Sequence, residues 1–82
     1  MDPVDLRSLE RVLTYGTTAT RRSMAERMAA DPDSDLPEVL LATVRSSEPK
    51  VVRDRSMEIL VFMAAAGHGL AAAIIAELNR SL

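Results

Sequence analysis

At 82 residues and 8.9 kDa the chain has room for one small domain, which buries only about 60% of the surface it exposes when unfolded. It has no cysteine or tryptophan and a single histidine, which excludes disulfides, thiolate metal sites and most nucleophile–base constellations. Ten basic against twelve acidic side chains give a net charge of −2 and no overall footprint for nucleic acid or an anionic membrane, while 48% hydrophobic and 27% charged residues suit a globular fold.

Punctuation residues divide the chain into helices. Asp2 caps the first, with Pro3 at its first position and Asp5 one turn in, where the helix dipole favours an acid. Leu6, Leu9 and Leu13, with Val12 beside them, form its apolar stripe, and Arg7, Glu10, Arg11 and Thr14 face away. Gly16 is its stop. A second helix runs from Thr17 or Thr18 to about Ala30 and ends at Asp31-Pro32. Its apolar face is poor, Met24 and Met28 with Ala25 and Ala29 alongside, which predicts a peripheral helix.

After the loop Asp31–Asp35, Asp35 caps a third helix, with Glu38 as its capping-box partner. Val39, Leu40, Leu41 and Val44 cover more than half of its surface and predict burial on two sides. Ser46-Ser47-Glu48-Pro49 breaks the chain, and a fourth helix runs from about Pro49 to Ala66. Its first half is amphipathic, with Val52 and Ser56 inward. The second half, Ile59-Leu60-Val61-Phe62-Met63, is apolar all round and marks a central helix. The last helix, Leu70 to Ser81, carries Ile74, Ile75, Leu78 and Leu82 in a broad stripe. No stretch alternates with period two and no hairpin dipeptide appears. The expectation is a single all-α domain over 1–82, about five helices packed as antiparallel hairpins.

The run Ile59 to Ala76 is eighteen residues with His68 as its only strongly polar side chain, long enough to test as a tail anchor. Seven alanines and two glycines leave only about half of it to drive insertion. Two buried helices joined at Gly67-His68-Gly69 account for the run more simply. With an acidic Met1-Asp2-Pro3-Val4-Asp5 opening where a secretory signal is basic, the expected location is cytoplasmic.

The chain also echoes itself. A shift of 32 residues aligns Leu9 with Leu41, Val12 with Val44, Thr20 with Val52, Arg21 with Arg53 and Met28 with Leu60. Leu36 to Leu41, the turn Ser47-Glu48-Pro49, the pair Val52-Arg53, the small Ser56 and Leu60 follow in an order that resembles a HEAT-type helical repeat over residues 36–63. Residues 6–30 carry the same order in degraded form, with Thr20 in place of the valine and Met24 in place of the small residue. The resemblance implies a short right-handed stack of helix pairs, or a small bundle, that binds protein without catalysis. Fewer than three such units leave apolar surface to be covered by the last helix or by a partner.

Candidate sites divide as follows. Asp31-x-Asp33-x-Asp35 resembles the start of a calcium loop, but Leu36 replaces the required glycine and Ala42 the bidentate glutamate, so calcium is rejected. His68 has no metal-ligating or nucleophilic companion in sequence. A polar turn residue bonding the free carbonyls behind it explains that position. Met24, Met28, Met57 and Met63 read as core filler. Arg45, Lys50, Arg53 and Arg55 cluster around one turn, and Arg21 and Arg22 at the equivalent turn of the first unit. They form either a basic edge for phosphate or an acidic partner, or ordinary charge balance with Glu26, Glu48 and Asp54. Thr20 to Met28 also resembles the first helix of a helix-turn-helix unit, although the following helix is apolar and opens acidic.

The expected function is therefore a non-enzymatic, cofactor-free protein-interaction module, an adaptor or regulator. It would bind a protein partner or a second copy through the basic edge (Arg21, Arg22, Arg45, Lys50, Arg53, Arg55) or the apolar end of the last helix (Ile75, Leu78, Leu82). A small DNA-binding regulator is the first alternative and a tail-anchored membrane protein the second.

Overall fold

The computed structural model describes residues 3–81, with side chains from Asp5 onward. They form five helices: α1 (Pro3–Tyr15), α2 (Thr18–Ala29), α3 (Leu36–Val44), α4 (Lys50–Ala65) and α5 (Gly69–Arg80). No strand occurs among the described residues, and the fold is an all-α small bundle. The Cα radius of gyration of 11.6 Å matches the about 11.7 Å expected for one packed body of this length. Asp2 and Leu82, read above as a cap and a stripe residue, lie outside the described residues.

The all-round apolar half of α4 puts it at the centre, as its sequence predicts. Helices α2, α3 and α5 all pack on it, while α1 touches α4 and α2 more lightly. Ile59, Leu60 and Met63 of α4 are completely buried with Leu36 and Leu40 of α3, Ala25 of α2 and Ala71 of α5. Ser56 is buried among them and donates its hydroxyl to Val52 O at 2.9 Å, so its polar atom costs the core nothing. Helix α2 is less peripheral than its thin stripe suggests. The side-chain-poor Ala25 lets it lie close to α4, and Arg21 and Met24 are buried beside it.

The helix ends show why the chain stops and starts where it does. Thr17 caps α2, its hydroxyl accepting from Thr20 N at 3.2 Å. The capping box expected at Asp35 does not form. Asp35 has ψ of 1°, outside the extended conformation a capping side chain needs, and Ser34 Oγ instead accepts from Leu36 N at 3.2 Å. Asp31 Oδ1 accepts from Asp33 N at 3.0 Å, which makes the triple-aspartate loop a self-bonded turn.

The end of α4 is closed by two bonds, Gly67 N to Ala64 O and His68 N to Met63 O, both 3.0 Å, with Gly67 at φ +93°. That left-handed residue is why glycine stands there. His68, 3% exposed, then caps α5, its Nδ1 accepting from Ala71 N at 3.4 Å. A ring nitrogen that accepts leaves the proton on the other, so Nε2 donates to Asp31 O at 3.1 Å. The expected carbonyl partner behind His68 is thus corrected: it belongs to the distant α2–α3 loop, and the imidazole pins two loops together.

Candidate interaction surface

The six basic residues of the expected edge are put to different uses. Arg21 is buried. Its Nε donates to Glu58 Oε2 at 3.1 Å, one terminal nitrogen to Gly16 O at 2.8 Å and the other to Thr18 Oγ1 at 3.1 Å. Arg55 is half-buried and donates to Leu13 O at 2.7 Å and Thr14 O at 3.1 Å. Two guanidinium groups therefore take up carbonyls at the C-terminal end of α1, where a cation also meets the negative end of the helix dipole. This corrects the expectation that Arg21 and Arg55 belong to an open ridge. A planar donor fork is easily consumed by backbone carbonyls.

The other four are exposed. Arg53 Nε donates to Glu48 O at 3.0 Å, Lys50 pairs with Asp54 at 2.8 Å, and Arg22 lies 5.1 Å from the centroid of the Phe62 ring. Arg45 follows α3 at its C-cap. Of the expected apolar end, Ile75 and Leu78 are half-buried and pack against the core.

The 32-residue echo has a structural counterpart. Helices α2 and α4 begin 32 residues apart, at Thr18 and Lys50, and Arg21 and Arg53 each donate to the carbonyl five residues earlier. Helices α1, α3 and α5 begin at Pro3, Leu36 and Gly69, 33 residues apart each time.

Sequence reasoning missed the principal opening in the surface. A cleft of about 320 Å³ runs between α1, α3 and the start of α4, with Leu6, Leu9, Leu13, Val39 and Val52 as its apolar lining and Glu10 and Glu48 as its only charged residues. Leu6 remains 38% exposed there. The available signal was the leucine stripe of α1, which extends one turn beyond what the lightly touching neighbours cover.

Among the described residues no three metal-ligating side chains come together, and no helix is long and apolar enough to cross a membrane. The run 59–76 is divided between α4 and α5 at Gly67 and His68. Helix α3, in the place of a recognition helix, turns Leu36, Pro37 and Leu40 into the core. No protein-family model matches the chain, and no curated protein or solved structure does either.

Proposed function

We propose that the chain is a non-enzymatic protein–protein interaction module of the cytoplasm, made of HEAT-like helical hairpins. The observation that carries this reading is the repetition: two helix pairs with the same spacing of starts, the same arginine-to-carbonyl bond at the turn, and α5 placed as the first helix of a third pair. Stacked hairpins of this kind present grooves between successive helices as binding surfaces. The cleft beside α1 is such a groove.

A tagged pull-down from source lysate, run with and without nuclease and read by mass spectrometry, tests the reading. A protein recovered equally under both conditions is the expected result. Recovery that collapses with nuclease overturns it in favour of nucleic-acid binding.

A further inference from the structure

The α1 cleft has an asymmetric chemistry. Its lining follows α1 from Leu6 to Thr14, a little over two helical turns or about 12 Å, which makes it a groove rather than a round pocket. Its floor is aliphatic. Both of its charged side chains are carboxylates, Glu10 from α1 and Glu48 from the α3–α4 turn, and no arginine or lysine lines it. Neither carboxylate forms an ion pair among the described residues, although six basic residues stand elsewhere on α1 and α4. The main-chain carbonyl of Glu48 is held by Arg53, which fixes the turn while leaving the carboxylate at the groove.

We propose that this groove receives an amphipathic helix of a partner protein, one that carries arginine or lysine beside its apolar stripe. The proposal rests on the interaction-module reading and adds the place and the sign of charge. Two turns of aliphatic floor match side chains spaced i, i+3 and i+4 on one helix face. Two unpaired carboxylates select the cationic flank, attracting it and repelling an acidic one. A second copy of this chain is a poorer occupant. Its exposed basic helix, α2, carries Arg22 and Arg27 on a face whose neighbours are Ala19, Ser23, Glu26 and Ala30, with no large apolar side chain to fill the floor.

The test uses two labelled helical peptides of about three turns, identical in their leucine stripe, one flanked by arginines and the other by glutamates. Fluorescence anisotropy with the full chain is expected to show the arginine peptide binding about tenfold more tightly than its acidic twin. Glu10→Gln and Glu48→Gln should each weaken it about threefold, and added salt should narrow the difference. Amide shifts on binding should concentrate at Leu6, Glu10, Thr43 and Val52.

Equal affinity for both peptides, no binding of the basic one, or shifts confined to α5 overturns the proposal. So does concentration-dependent self-association of the chain alone that the two glutamine substitutions abolish. The double variant, folded by its circular dichroism, also separates the two readings. If it still captures the nuclease-resistant partner at wild-type level, the module stands and the groove does not; if neither protein captures one, the module fails.

Discussion

The two hairpins meet the same central helix by different means. Helix α3 joins α4 through apolar burial: Leu36 and Leu40 are fully enclosed with Ile59, Leu60 and Met63. Helix α1 brings only Leu9 and Leu13 into the core, has an open cleft along its side, and is held at its C-terminal end by Arg55 and Arg21. Non-directional burial tolerates small shifts, whereas guanidinium–carbonyl bonds fix one end of a helix and leave the other to its contacts. The first hairpin should therefore open at lower free energy than the second, a difference native-state hydrogen exchange reads directly.

The strongest way to break the comparison is to cut the apolar half. Leu60→Ala removes a completely buried side chain from α4, which every other helix contacts, and should cost about 2–5 kcal/mol. Against a total stability of about 5–15 kcal/mol for a domain, that is a large share, and all five helices should lose protection together in urea. Leu60→Met, nearly conserving volume, should cost less than about 1.5 kcal/mol in the same measurement.

Cutting the polar half should give a smaller and more local effect. Arg21→Met keeps much of the aliphatic stem but removes three donor bonds, leaving Gly16 O and Glu58 without that partner. Glu58 is 29% exposed and recovers water, so the expected loss is about 2 kcal/mol. Exchange should rise first in α1 and at the start of α2, with α3 and the second half of α4 still protected. A uniform rise throughout the chain would show that the guanidinium clamp is not local. Gly67→Ala tests the far end of α4: a side chain at φ +93° should cost about 1 kcal/mol by thermal melting, although open space surrounds the position.

Much of this architecture is legible in the residues. Proline, glycine and the Ser/Thr/Asp clusters place all five helices within a residue or two, and the uninterrupted apolar run 59–63 identifies the hub. The docking of α1 is not legible, because hydrophobic periodicity counts Arg21 and Arg55 as outward-facing. A guanidinium with a long aliphatic stem can be buried when carbonyls meet its donors, and those carbonyls belong to residues 5 to 42 positions away. His68 was hidden for the same reason, since Asp31 lies 37 residues back. The groove escaped notice because Glu10 looks like any solvated acid until α3 and the α3–α4 turn are placed beside it.

The finest contrast lies between two arginines at the same place in the two units. Arg53 makes the same bond to a carbonyl five residues earlier that Arg21 makes, yet it is exposed and makes no second bond to a neighbouring helix. Water can replace its single contact at Glu48 O, so Arg53→Ala should change stability by less than about 0.5 kcal/mol. If the bond to the turn were itself what docks each hairpin, Arg53→Ala and Arg21→Met would cost the same in paired urea titrations. A difference of more than about 1 kcal/mol would instead assign the stabilisation to what Arg21 adds, burial and the Glu58 pair across to α4. On that outcome, the shared bond sets the shape of both turns, and the first hairpin alone depends on its arginine to stay attached.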